Sequence, residues 1–199
     1  MPRIEVADQA GTSLAGEPRP TEDRIVVVDS VAGRDPDAGA VAVLDGATEQ
    51  RPGLPSGGWY AERLGVQLRA ALLRSADPGA ALAAAIDATT REHGLQPGAS
   101  PSSTVALVLW TTDTVEALVL ADSPVVRFGA TEVEVVADHR LQQLRAAGRL
   151  RTRDAVDALR NRDGGFWVAE AEPTAATRAV RAHWARADVH SLVLATDGV

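Results

Sequence analysis

Residues 40–49 read AVAVLDGATE. A run of small and branched apolar residues, Ala40 to Leu44, leads into Asp45 and Gly46, the pattern of a buried strand (40–44) that ends on a carboxylate. An ionised carboxylate beside apolar surface needs hydrogen bonds, a cation or a metal to offset its desolvation. The same grammar returns at 191–199, SLVLATDGV, which delivers Asp197 followed by Gly198. Two strands that each end in Asp-Gly are able to set two carboxylates on one cation. Hard ions such as Mg²⁺ and Mn²⁺ take carboxylate, carbonyl and water oxygens, and a Gly lets its backbone carbonyl approach closely. Taken singly, each Asp reads equally well as a turn or capping residue.

The 199 residues, 45% hydrophobic, are enough for one substantial core, so a single domain over 1–199 is expected, with 1–16 as a loose lead-in. The net charge of −7 argues against nucleic acid or an anionic membrane as the main partner. With no Cys, disulfides, thiolate metal sites and a cysteine nucleophile are excluded, and any metal is held by oxygen or imidazole. The start lacks a signal peptide's basic and apolar regions, and no apolar run approaches the ~20 residues of a membrane span. A cytoplasmic monomer is the expectation.

Outward from the opening stretch, RIVVVDS at 24–30 reads as a strand and 34–39 as a loop. An amphipathic helix spans 59–74, with Trp59, Leu64, Leu68, Ala71 and Leu72 on one face. Asp77 and Pro78 read as N-cap and first residue of an Ala-rich helix that runs to about His93 and stops at Gly94. The period then changes, with strands at 104–111, 115–121, 125–128 and 132–136 whose short links fit an antiparallel meander. The Arg-rich segment 141–160 reads as a surface helix broken near Gly148, 161–165 as a turn, 166–173 (FWVAEAEP) as a strand, and 179–196 as two strands around 186–189. The expected class is α+β, two packed, mostly antiparallel sheets flanked by helices.

Six motifs in order resemble the metal-dependent protein phosphatase family, type 2C: PTEDR at 20–24, VLDGATE at 43–49, SSTVALV at 102–108, LADSPV at 120–125, VADH at 136–139 and LATDGV at 194–199. The resemblance implies an α-β-β-α sandwich and hydrolysis of phosphoserine or phosphothreonine in a phosphorylated protein substrate, by a hydroxide bridging two Mn²⁺ or Mg²⁺ ions. It further implies that Asp45 bridges both ions, Gly46 ligates through its carbonyl and Asp197 binds one ion. By the same resemblance, Glu22 and Asp23 would support the site through its water shell, Asp138 with Asp197 would hold a third, weaker ion, and Arg19 would bind the phosphate. Such a site needs no protein nucleophile, because paired cations lower the pKa of a bridging water to ~7 and neutralise phosphoryl charge.

Three positions depart from the pattern. Ala47 stands where many relatives carry a His that protonates the leaving group, and Ala121 and Pro124 flank Asp122-Ser123 where Gly and Arg are usual. Against the family pattern, Val199 precedes a closing helix and strands with another Asp ligand, so the domain reads as C-terminally incomplete. These departures keep two alternatives open, a catalytically impaired regulatory or binding module and a phosphatase of small phosphorylated metabolites. His93, His139, His183 and His190 lack a short ligand spacing, and with no Gly-x-Ser-x-Gly elbow a serine triad is disfavoured.

Overall fold

Alternation of small and β-branched residues builds a five-stranded antiparallel sheet. It contains β1 (Asp23–Val28), β2 (Gly39–Gly46), β3 (Ser103–Trp110), β4 (Thr114–Leu120) and β7 (Val180–Ala185), in the order β1-β2-β3-β4-β7. A smaller sheet orders β6 (Val133–Val136), β5 (Val125–Phe128) and β8 (Ser191–Leu194) as β6-β5-β8. The structure, a computed structural model, describes residues 2–8, 21–31, 35–47 and 53–196. Arg19 and Asp197 lie outside the described residues.

The strands of the larger sheet sort their side chains by parity. Ala40, Ala42 and Leu44 of β2 join Val105, Leu107, Leu118 and Leu120 in the core under the helices. The opposite parity, with Val41, Ala106, Val108, Trp110, Val115, Ala117 and Val119, packs towards Val125 and Val136 of the smaller sheet. Both faces of β3 and β4 are therefore buried, which is why they read as continuous apolar runs rather than alternations.

Two helices cover the outer face of the larger sheet. α1 (Gly57–Leu72) starts at Ser56, whose hydroxyl accepts from Trp59 N at 3.1 Å, and buries Tyr60, Ala61, Leu64, Leu68, Ala71 and Leu72. Each large aliphatic side chain buried there contributes about 1.5–3 kcal/mol. Gly65 lets the helix sit close to β1 and β2, since a Cβ there meets Val26 and Leu44 at 3.2 and 3.3 Å. α2 (Pro78–His93) has the expected bounds and stops at Gly94 in the left-handed conformation, φ 63°.

At the start of α2, Asp77 Oδ1 accepts from Gly79 N and Ala80 N at 2.7 and 3.1 Å and pairs with Arg181 Nη2 of β7 at 3.1 Å. Burial pushes its carboxyl up, but the two N–H groups and the Arg181 charge outweigh this and hold it below the ordinary carboxylate range. A depressed folded-state pKa gives stability that is present above the unfolded value of ~3.9 and lost as pH falls through the folded one. Asp77→Ala is expected to cost about 1 kcal/mol at pH 7. Urea unfolding should show that difference shrinking below about pH 4 as the wild-type carboxyl protonates.

The expected meander is split between the sheets. β4 leaves the larger sheet and β5 enters the smaller one through Ala121 to Pro124; the pair β7 and β8 makes the same crossing through a 3₁₀ turn at Arg186–Asp188. Arg127, 6% exposed, ties the crossing together by donating to Glu134 Oε2 and Glu132 Oε2 and to the Asp188 carbonyl, over the ring of Trp184.

Two expectations need correction. Residues 166–173 form no strand. Phe166 to Ala171 are all buried; the N–H groups of Phe166, Val168, Ala169 and Ala171 go to Leu159 O, Asn161 Oδ1, Ser103 O and Ser100 Oγ, and the segment's pairing is limited to isolated bridges of Phe166 with Arg160 and Ala169 with Ser103. The segment 141–160 is two short helices, α3 (Arg140–Ala146) and α4 (Arg153–Leu159), and it is not wholly superficial: Leu141 and Leu144 pack with Ala121, Phe166 and Val168 in a separate small core. Residues 2–8 carry no strand; the rest of the lead-in is outside the described residues.

Candidate active site

Strand register gathers the polar residues at one end of the two sheets. Asp45 of β2 stands directly opposite Asp23 of β1 on one side and Thr104 of β3 on the other. Directly opposed residues project from the same face. The parity of Asp45 is that of Val41 and Val43, so the row faces the smaller sheet. β5 begins at this end, and β6 and β8, both antiparallel to it from the Val125 level, finish there. Asp138 and Thr196 follow their strands by two residues, and Thr196 Oγ1 donates to Asp23 Oδ2 at 3.3 Å. Asp23 and Thr196 also line a cavity of about 710 Å³ between the sheets.

Two like charges facing each other across a strand pair are unfavourable. Half-buried Asp23 and Asp45 concentrate negative charge at this end of the sheet. The start of α1, whose macrodipole is positive, lies at the same end of the sheet but on its other face. The chain brings that helix end close through glycines: a Cβ at Gly46 would overlap the backbone of Gly57, and one at Gly58 would sit 3.2 Å from Glu22 Cα. Gly46 N donates to the Glu22 carbonyl at 3.2 Å and Ala47 N to the Ser102 carbonyl at 3.0 Å, which fixes the Asp-Gly end between its neighbours. Gly57 and Gly58 were not singled out by the sequence reading; the signal available was a Gly pair at the head of an amphipathic helix.

The turn after β4 is the second component. Ala121, where the family pattern has Gly, holds φ 67°, a left-handed conformation costing a non-glycine residue about 1–2 kcal/mol. Its N–H donates to Asp138 Oδ2 at 3.2 Å. Arg145 Nη1 meets Asp122 Oδ2 at 2.9 Å, and the hydroxyls of Thr104 and Ser123 are hydrogen-bonded to each other. Asp138, 5% exposed, also accepts from Arg140 Nε and Nη2 at 2.8 and 2.6 Å. That carboxylate thus fastens the strained turn to α3.

Asp23 and Asp45 are brought to one face, and Glu22 and Gly46 join them through the backbone, with the Glu22 side chain against Gly58 of α1; Asp138 shares their end of the sheets but is clamped by Arg140. Among the described residues no three His, Asp or Glu side chains form a group able to hold a metal ion. His139 is exposed at the head of α3 and makes no side-chain cap, while His93 packs edge-on against Trp59 with centroids 4.9 Å apart. The apolar contexts of Trp59, Trp110, Trp167 and Trp184 predict core residues; Trp110, Trp167 and Trp184 are buried, and Trp59 is half-buried against the main core. Among the described residues no helix is long and apolar enough to cross a membrane.

No protein-family model and no curated protein matches this chain. Solved structures do. The serine/threonine phosphatase Stp1 of Staphylococcus aureus is 12% identical and aligns over 100% of this chain and 80% of its own, with a TM-score of 0.60. The S. agalactiae serine/threonine phosphatase is 17% identical over 97% and 78%, with a TM-score of 0.61. PppA of Pseudomonas aeruginosa, a regulatory component of T6SS, is 19% identical over 91% and 72%, with a TM-score of 0.57. This chain has the fold of bacterial serine/threonine phosphatases, the α+β sandwich that the type 2C resemblance implied.

Proposed function

We propose that this chain is a metal-dependent phosphatase that hydrolyses phosphoserine or phosphothreonine in proteins, with 1–199 as one phosphatase-like domain. The observation that supports it most is the pair of opposed carboxylates, Asp23 and Asp45, next to a glycine at the sheet end. Their oxygen-only chemistry fits Mn²⁺ or Mg²⁺ rather than a softer ion. Asp45, the Gly46 carbonyl and Asp197 are the proposed ligands of two ions, with Glu22 and Asp23 acting through the water shell. Asp138 contributes to a third ion only by exchanging its Arg140 guanidinium. When bound, such ions neutralise phosphoryl charge and acidify water.

The remaining work falls to the chain itself. Arg19 is the proposed fork on the phosphate oxygens, an interaction that orients the group as well as binding it. The Thr196 hydroxyl donates to Asp23, and the Thr104 hydroxyl, opposite Asp45, is tied to that of Ser123. Because Ala47 has no proton to give, the proton for the leaving alkoxide has to come from water or another group. A non-catalytic module of the same fold is the second reading, favoured by Ala47 and by the Arg140 clamp on Asp138.

Hydrolysis of a phosphothreonine peptide, followed by phosphate release with Mn²⁺ and again after chelation, tests the proposal. The expected result is turnover with Mn²⁺ that chelation abolishes and re-addition restores. Equal rates in all three arms would overturn it. Calorimetric titration separates the second reading, for which Mn²⁺ binds weakly or at one site only.

A further inference from the structure

Charge on this chain is segregated. Residues 140–163 hold seven arginines, Arg140, Arg145, Arg149, Arg151, Arg153, Arg160 and Arg162, against Asp154, Asp157 and Asp163, a net +4 within a chain of −7; the other residues therefore sum to −11. The basic segment is the small lobe of α3 and α4, placed beside the carboxylate end by Asp138 and Ala121. Segregation of this strength on an acidic protein creates a local field for anionic partners without a general affinity for polyanions.

The lobe also contains a cleft of about 500 Å³ lined by Arg140, Gln143, Arg149, Asp163, Trp167 and Arg178, among others. Two of its arginines are committed. Arg140 holds Asp138 and donates to the Arg178 carbonyl at 2.7 Å; Arg178 pairs with Asp163 at 3.2 Å and lies over the Trp167 ring, 4.9 Å from its centroid. Arg149 is exposed, and among the described residues it makes no ion pair and no side-chain hydrogen bond. Arg151 and Arg162, also exposed and in the same state, extend the positive surface beyond the cleft. Arg140 belongs both to the cleft wall and to the Asp138 clamp, so the two sites are contiguous.

We propose that this arginine cleft docks an acidic segment of a protein partner, with Arg149 taking a carboxylate of that segment in its fork. The proposal rests on the phosphatase reading in one respect: with catalysis at the carboxylate end, the preferred substrates are phosphoproteins whose phosphorylated residue is flanked by Asp or Glu. Rim arginines of this kind contribute mainly to encounter and selectivity, with a strong dependence on salt.

Binding is measured first without metal, by Trp fluorescence, using an unphosphorylated peptide rich in Asp and Glu and a neutral peptide of the same length. The acidic peptide is expected to bind and the neutral one not to. Arg149→Glu should weaken binding about tenfold or more, raised salt should weaken it too, and Arg74→Glu, in the turn after α1, should leave it unchanged. Equal binding of the two peptides, an Arg149→Glu protein that binds as wild type, or tighter binding of RNA or of phosphatidylserine vesicles than of the peptide would overturn the docking proposal. The second measurement uses matched phosphothreonine peptides with Mn²⁺. There Arg149→Glu should raise KM for the acidic peptide about tenfold with kcat unchanged, and leave the neutral peptide unaffected; an effect confined to kcat would sink it. Docking without any hydrolysis would overturn the phosphatase reading and leave the cleft standing, whereas hydrolysis indifferent to Arg149 would do the reverse.

Discussion

Glu170→Ala is expected to lower the unfolding free energy by about 3–5 kcal/mol, the range for removing one member of a buried ion pair. Glu170 is 2% exposed and its partner Arg160 7%, with Nη1 and Oε2 3.8 Å apart. Its Oε1 accepts from Gly98 N at 3.3 Å and Asn161 Nδ2 at 3.2 Å, and its own carbonyl takes the Tyr60 hydroxyl at 2.7 Å. The alanine therefore removes the carboxylate that faces a buried guanidinium and takes the acceptor from two donors at once, each a costly loss. Burial pushes the Tyr60 phenol well up, with the Glu170 charge adding to it, so Tyr60 stays a neutral donor to that carbonyl.

Urea unfolding followed by Trp fluorescence checks this. At a slope of about 2 kcal/mol per M the midpoint should fall by about 1.5–2.5 M. Glu170→Gln keeps an acceptor for Gly98 and Asn161 while losing the charge, so it should cost less than the alanine. A midpoint shift below about 0.5 M for the alanine would mean that water replaces the pair, and that the segment 160–171 is held by its apolar residues alone.

That segment also shows where the sequence stops being informative. Phe166 to Ala171 reads as a strand because it is apolar, yet all six residues are buried and no alternation remains to give a face. The clue was Glu170 itself, a charge inside an apolar run that had to be matched by a buried Arg some residues away. By contrast α1, α2 and β2 are legible because their information is local: an N-cap Asp before Pro, a Gly at the stop, a hydrophobic stripe of the right period. Sheet membership is not local. The runs at β4 and β5 carry the same composition, and nothing in Ala121 to Pro124 says that the chain changes sheets there, except that Ala121 holds a conformation suited to Gly. The same division applies to the site. Asp45 and Gly46 stand out as a strand end, and Asp23 was singled out beside Glu22; that Asp23 lies directly opposite Asp45 is a matter of register, set by the pairing of Arg24–Val28 with Ala40–Leu44. The Arg140 clamp on Asp138 was invisible because a two-residue spacing predicts no particular contact.

Asp45→Asn is expected to remove most of the stabilisation that Mn²⁺ confers, together with metal-dependent hydrolysis. For the wild type, free Mn²⁺ at about one hundred times its dissociation constant should add about 2.7 kcal/mol to the folded state. For a chain of this size that raises the melting temperature by about 5–11 °C. Asparagine has the shape of aspartate and keeps an acceptor, so Asp45→Asn should preserve the fold and the pairing with Asp23 and Thr104, which far-UV circular dichroism checks. It takes away one of two opposed negative charges, and with it the reason for a cation to sit at the sheet end. Turnover of the phosphothreonine peptide should fall by more than about 100-fold, since changes merely behind a ligand already cost 10–100-fold. Asp23→Asn, a water-shell partner in the proposed arrangement, should show a loss within that lower range. The order of the two variants is the decisive reading: if Mn²⁺ raises the melting temperature of Asp45→Asn as much as that of the wild type, the cation lies elsewhere and Asp45 is a structural strand end. If Asp23→Asn is the more damaging of the two, the opposed pair is still the site, but its direct ligand is the carboxylate on β1.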